Sequence, residues 1–155
     1  MVEMMKEVGF DVMTTTLQRM SSLDKFSSVV NSCSVIVGAH GASLTNEVFS
    51  GAGAVVVQVV PLGLDWPSTF LFGKPGAEME LEYLEYKIEA KESCLWDKYG
   101  ENHTDIRDPQ SMFAKAYFVS RAIYIDGQNL KINLTRFRDT MIQVKKLIRQ
   151  KKLVN

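Results

Sequence analysis

Ser34-Val-Ile-Val-Gly-Ala-His-Gly-Ala-Ser-Leu-Thr-Asn46, followed by Ala54-Val-Val-Val-Gln-Val-Val-Pro61, is the stretch that decides the fold. Ser34 to Gly38 and Val55 to Val60 are short, continuous apolar runs bounded by turn residues, the pattern of strands buried on both faces of a parallel sheet. Between them, a loop from Gly38 to Ser43 opens directly into Leu44 to Phe49, which has room only for a short helix before the Gly51-Ala-Gly-Ala turn. Upstream, Met4, Met5 and Val8 recur at helical spacing with Gly9 as a stop, and Phe10 to Thr15 reads as a strand. Ser21 and Ser22 introduce a second helix carrying Leu23, Phe26, Val29 and Val30 and ending near Asn31. The order αβαβαβ predicts an α/β fold, a Rossmann-like parallel sheet with helices on both faces.

Downstream the pattern loosens. Tyr83-Leu-Glu-Tyr-Lys-Ile88 alternates like an outer strand with one wet face, so Tyr83, Glu85, Tyr86 and Glu89 read as the two faces of an edge. Pro109 opens a helix through Phe118, Ala122 to Asp126 reads as a last short strand, and a final helix starts near Leu134. On that helix Phe137, Met141, Val144, Leu147 and Ile148 share one face. The charge run from Arg138 to Lys152 reads as its solvated side, complementing the helix dipole. Arg136 at its start either ties the helix to the sheet or reaches an anion.

Composition narrows the function classes. The 155 residues carry 18 Lys+Arg and 18 Asp+Glu, with 46% hydrophobic and 23% charged residues, the profile of one folded domain. No basic block precedes the last dozen residues, so nucleic acid is not an expected partner. No apolar run approaches the roughly 18 to 20 residues that span a bilayer. Cys33 and Cys94 have neither zinc spacing nor the number for a disulfide framework, and their pairing is left open.

The chemistry concentrates in the loop. Ligands of open parallel sheets bind outside the carboxyl ends of the strands, where loops enter helix N-termini. Gly38, His40, Gly41, Ala42, Ser43, Leu44, Thr45 and Asn46 form such a loop. Its backbone N–H groups and the helix dipole suit a diphosphate without requiring a lysine. His40 can donate to a phosphate or a sugar, act as a base, or merely tie the loop together. Thr45 and Asn46 can touch the ligand or cap the helix, and Glu47 sits in its first turn. Asp65 and Trp66, just beyond the next strand, lie at the same edge and can meet a ribose, a base or a sugar. P-loop, dinucleotide and nucleophile-elbow fingerprints are absent.

Asn31-Ser-Cys-Ser-Val-Ile-Val-Gly-Ala-His-Gly-Ala-Ser-Leu-Thr-Asn46 with Ala54 to Pro61 resembles the C-terminal signature of glycosyltransferase family 61. The likeness continues through Gly63-Leu-Asp-Trp66, Tyr83-Leu-Glu-Tyr86, Glu92-Ser93, Asp97-Lys-Tyr-Gly100, Asp108-Pro109 and Asn133-Leu-Thr-Arg-Phe137. It is most similar to the plant members that add xylose or arabinofuranose to xylan. Ser43 stands where that family commonly has Gly, adding a hydroxyl and removing backbone freedom.

The resemblance implies an inverting, UDP-sugar-dependent transferase of the two-lobed GT-B type, acting on a polysaccharide acceptor; no DxD-type pair of carboxylates lies near the loop, so no metal ligands are expected. Residues 1–150 would be its C-terminal nucleotide-sugar-binding lobe and 151–155 a polar tail, with the N-terminal lobe and membrane anchor lying outside the chain. The same resemblance implies a type II membrane protein of the Golgi lumen in its full length. Asn102-His-Thr and Asn133-Leu-Thr would then be glycosylation sites. It names no catalytic base. The competing expectations are an inactive lobe that binds nucleotide or a partner, and a free-standing cytosolic phosphate-binding protein.

Overall fold

The computed structural model describes residues 1–15 and 22–154. Helices α1 (Val2–Val8) and α2 (Leu23–Ser32) precede a sheet of three parallel strands, β1 (Val35–Ala39), β2 (Val55–Val60) and β3 (Glu82–Lys87). The strands lie in sequence order, so β2, buried along its whole length, is central. Its register aligns Gly38 of β1 and Glu85 of β3 with Gln58. The α/β class and the parallel sheet are as the sequence predicts.

Side-chain alternation along β2 divides the core in two. Val55, Val57 and Val59 pack with Met4, Met5 and Val8 of α1 and with Phe137, Met141 and Val144 of the last helix. Val56 faces the other way, toward Leu44, Phe72 and Leu81. Helical segments therefore cover both faces. On the second face they are the 3-10 helix Ala42–Phe49 and a continuous turn of α3 (Asp65–Ser68), the π-helical Thr69–Gly73 and α4 (Lys74–Glu78). Beyond β3, α5 (Cys94–Tyr99), α6 (Thr104–Arg107), α7 (Pro109–Lys115) and α8 (Tyr117–Arg121) gather around Leu64, Leu95, Ile106 and Tyr124.

Several sequence expectations change. Phe10 to Thr15 forms no strand. Phe10 and Val12 pack against the core beneath α1, so their alternation reflects half-burial and not a ladder. Ala122–Asp126 is a π-helical continuation of α8, because Tyr124 is drawn inward and donates its hydroxyl to Asp105 O at 2.9 Å. The helix expected through Phe118 breaks at Ala116, whose φ is −156°. At the start of α2, Ser22 is the N-cap residue, and Ser21 lies outside the described residues.

The final helix, α9, runs Leu134–Val154. Its helical course continues past residue 150, where the sequence suggests a tail. Its cations are not a purely solvated face. Arg138 Nη1 lies 2.7 Å from Glu7 Oε2, and Lys145 Nζ donates to Val8 O, the C-terminal carbonyl region of α1. Lys151 pairs with Glu82 at 3.0 Å. They fasten α9 to its neighbours. No helix among the described residues is long and apolar enough to cross a membrane.

Candidate functional site

The strands end together at Ala39, Val60 and Lys87, and His40 is the first residue beyond β1. Its backbone N–H still bonds Val59 O at 3.0 Å, which holds the loop against the central strand. Gly41 follows with φ +150°, a conformation that side chains rarely adopt, and the space where a Cβ would project is open. Gly38 has a different task. A Cβ there would lie 2.9 Å from Leu44 Cδ1, so the glycine admits Leu44 to the core.

The 3-10 helix starts at Ala42, and its first N–H groups have no intrahelical acceptors. Ala42 and Ser43 are exposed there. Ser43 has a negative φ, so the serine stands without backbone strain. Leu44 is buried. Thr45 Oγ1 donates to Ala42 O at 2.6 Å and Asn46 Nδ2 to Ser43 O at 2.7 Å, so both side-chain donors are committed inside the turn. Of the expected loop residues, Gly38 and Leu44 are packing residues, Thr45 and Asn46 brace the helix, and His40 with the Gly41–Ser43 backbone faces the edge.

His40 is the end of a polar network that crosses the sheet. Its Nδ1 lies 2.8 Å from Gln58 Nε2 and 3.1 Å from Ser68 Oγ. Gln58, 0% exposed, is also 3.1 Å from Ser68 Oγ and accepts the Tyr83 hydroxyl at 2.5 Å. The Tyr83 hydroxyl also lies 3.0 Å from Glu85 Oε1, which accepts Thr69 Oγ1–H at 2.8 Å. Lys87 closes the line, 2.9 Å from Asp65 Oδ1 and 3.3 Å from Glu85 Oε2. Phe72 meets the imidazole edge-on, 5.4 Å between centroids.

Burial sets the protonation of this network. Desolvation lowers the His40 pKa, favouring the neutral ring at pH 7. Burial, followed by the charges of Glu85 and Glu47, pushes the Tyr83 phenol up, so its proton stays in place. Glu47 is 3% exposed, and its Oε2 has no hydrogen-bond partner among the described residues. Burial raises its pKa to about 7. A carboxyl group without partners in such a place carries its proton near neutrality.

Asp65 opens α3 and is held by Lys87. Trp66 is 68% exposed and stacks on Phe70, with 4.9 Å between ring centroids. Sequence reasoning missed Gln58, Ser68, Tyr83, Glu85 and Lys87 as a site. The available signal was Gln58, the one polar residue in an otherwise all-valine strand.

Elsewhere, Asn102 is exposed between α5 and α6. Asn133 caps α9, its Oδ1 accepting from Thr135 N at 3.1 Å and Arg136 N at 3.3 Å. Arg136 is structural, bonded to Glu92 and Lys87 O. Cys33 and Cys94 are both free thiols. An open depression of about 460 Å³ lies at the opposite edge, where the strands begin, beside Ser34, Gly53 and Lys151. Its lysine pairs with Glu82 and bonds Gly53 O. Among the described residues no cluster of three or more His, Cys, Asp or Glu could hold a metal ion.

No protein-family model matches the chain. It is similar to a xylan glycosyltransferase of Arabidopsis thaliana, 35% identical over 142 residues, 92% of this chain and 29% of that protein. In Oryza sativa subsp. japonica it is similar to a beta-1,2-xylosyltransferase, 38% identical over 138 residues, 88% of this chain and 24% of that protein. It is likewise similar to an alpha-1,3-arabinosyltransferase of that rice, 38% identical over 144 residues, 92% of this chain and 25% of that protein. The chain spans between 24% and 30% of the length of these and two further curated relatives from rice.

Proposed function

We propose that the chain, which shares sequence over about nine-tenths of its length with plant xylan glycosyltransferases, xylosyltransferases and arabinosyltransferases, belongs with them to glycosyltransferase family 61 and is the nucleotide-sugar-binding lobe of such an enzyme. Its ligand is a UDP-pentose, xylose or arabinofuranose, and the acceptor is a xylan-type polysaccharide. Residues 1–150 act as the C-terminal lobe of a GT-B pair, completed by an N-terminal lobe. The full-length protein is a type II membrane protein of the Golgi lumen, glycosylated at Asn102 and Asn133.

The observation that carries this reading is the His40–Ser43 turn at the carboxyl edge of the sheet, inside the very stretch that resembles the family. There the unbonded N–H groups of the 3-10 helix and the open side of Gly41 suit a diphosphate. In the inverting reaction an acceptor hydroxyl loses its proton to a base while its oxygen bonds the anomeric carbon. The bond from that carbon to the diphosphate oxygen breaks, and its electron pair leaves with UDP. Loop N–H groups and the His40 imidazole stabilise the departing charge without a metal. No residue of this chain is assigned as the base.

The test is twofold. Isotope-labelled chain titrated with UDP is expected to respond at residues 40–46, with Trp66 and Asp65 moving less; silence at that loop sinks the site. Transfer from UDP-xylose or UDP-arabinofuranose to xylo-oligosaccharide is then assayed with the chain alone and with the longer protein. Binding by the chain with turnover only in the longer protein supports a lobe that needs its partner. Turnover by the chain alone overturns the need for a second lobe.

A further inference from the structure

A glutamine at the centre of a fully buried valine strand needs a reason. Burying an unpaired amide costs on the order of 1 to 3 kcal/mol, and Gln58 avoids that by engaging His40, Ser68 and Tyr83 together. The pairing is not generic core satisfaction, because Gln58 and Ser68, from separate segments, both reach one imidazole nitrogen, and Tyr83, from a third, holds the far end of the Gln58 amide. His40 Nε2, by contrast, makes no hydrogen bond among the described residues.

The direction of the protons follows from the distances around the phenol. Tyr83 has one hydroxyl proton and two acceptors within reach, Gln58 Oε1 at 2.5 Å and Glu85 Oε1 at 3.0 Å. A separation of 2.5 Å fits an O–H···O bond and is too short for an amide N–H donating to the phenol oxygen. The phenol proton therefore goes to the nearer Gln58 oxygen. That fixes the amide with its NH2 toward His40 Nδ1 and Ser68 Oγ. An NH2 group can only donate to Nδ1, so Nδ1 is the bare nitrogen and the ring proton sits on Nε2.

We infer that Gln58, oriented by Tyr83, is a positioning residue that locks His40 as an Nε2–H donor aimed out of the carboxyl edge of the sheet at the diphosphate of the sugar nucleotide. The inference rests on the donor-site reading for its ligand, though not for the tautomer itself. It removes His40 from consideration as the general base, since the nitrogen free to face a ligand is the protonated one. Of the charged groups on the neighbouring elements, Asp65 and Glu85 share the single ammonium of Lys87, and burial of the ring keeps the imidazole a neutral dipole.

The chain has only two histidines, His40 and His103, so imidazole nitrogen spectra are assigned with a single His103→Gln variant. In the unaltered chain at pH 7, His40 Nδ1 is expected at the shift of an unprotonated acceptor and Nε2 at that of a protonated nitrogen. Gln58→Met, similar in volume but without the amide, is expected to let the Nδ1–H tautomer grow to a comparable population and to weaken UDP binding about tenfold. Tyr83→Phe, milder to the core, should mix the tautomers while folding is retained. A protonated Nδ1 in the unaltered chain overturns the inference whether or not UDP binds. The expected tautomer with His40 Nε2 unmoved by saturating UDP while residues 41–46 respond overturns the aimed-donor role alone, and silence of the whole loop overturns the donor-site reading instead.

Discussion

Two buried glutamates take opposite fates, and the difference is a count of donors. Glu92 accepts from the Tyr86 hydroxyl, Asn133 N at 2.6 Å, Glu89 N at 2.8 Å and Arg136. Burial alone would raise its pKa, but the bonds from Tyr86, Asn133 and Glu89, with the Arg136 charge, outweigh it and hold the carboxyl below its usual range. Its stabilising contribution is therefore complete above the ordinary carboxylate pKa and is lost as pH falls through the lower folded value. Glu92→Ala strands two backbone N–H groups and Arg136, and should cost about 3 kcal/mol at pH 7 in urea denaturation. A loss under about 1 kcal/mol would contradict this account. Glu47 has no such partners, and its pKa sits at about 7. The sign reverses: the group destabilises the fold most above pH 7, and the penalty fades as pH falls from 7 toward the ordinary carboxylate value. Glu47→Gln should stabilise the chain at pH 8 by on the order of 2 kcal/mol, with the gain shrinking by pH 5. An equal gain at both pH values would show that ionisation is not the cause. A carboxyl kept at such expense beside the loop is the kind of local rule-breaking that functional sites display.

Elements differ in how far their sequences announce them. α1 and α9 are legible because their apolar spacing is helical and both partners of the pattern are present: Met4, Met5 and Val8 meet Phe137, Met141 and Val144. β1 and β2 are legible because buried parallel strands are continuous apolar runs. Phe10 to Thr15 and Ala122 to Asp126 mislead for one shared reason. Phe10, Val12 and Tyr124 are apolar anchors pulled into a core, and local periodicity cannot tell an anchor from a strand residue. The position of the loop at the carboxyl edge of the sheet is legible in the sequence, whereas the Gln58–Tyr83–Glu85–Lys87 line is not, because it exists only once the register sets Gly38, Gln58 and Glu85 side by side. Asn133 illustrates the same limit, since the triplet reads as a glycosylation signal while the structure makes its Oδ1 the cap of α9. In unglycosylated chain, Asn133→Ala should destabilise by about 1 kcal/mol, and Asn133→Asp should restore most of it. If thermal melts leave Asn133→Ala unchanged, the cap contributes nothing and the position is free for a glycan alone.

At the scale of the whole molecule, the sheet is a rigid floor whose carboxyl edge is built from residues 40, 58, 68 and 83, so the site cannot form before the strands pair. Stability should then be uneven. β2 is 0 to 4% exposed and hydrogen-bonded on both sides. Its amides are expected to exchange with solvent only through global unfolding. Segment 117–126 exposes Tyr117, Phe118, Val119 and Ile125, and it should exchange through local opening. A diphosphate that seats on the 40–43 turn adds contacts to the folded state alone, so its binding energy appears as stability in proportion to ligand excess over the dissociation constant. Saturating UDP is accordingly expected to slow exchange at residues 40–46 by local protection and at β2 by global stabilisation. Segment 117–126, which opens without disturbing the site, should keep its rate. Protection centred instead on Ser34, Gly53 and Lys151 would move the nucleotide to the opposite edge of the sheet. Protection spread evenly over all segments would mean that UDP acts without a defined seat.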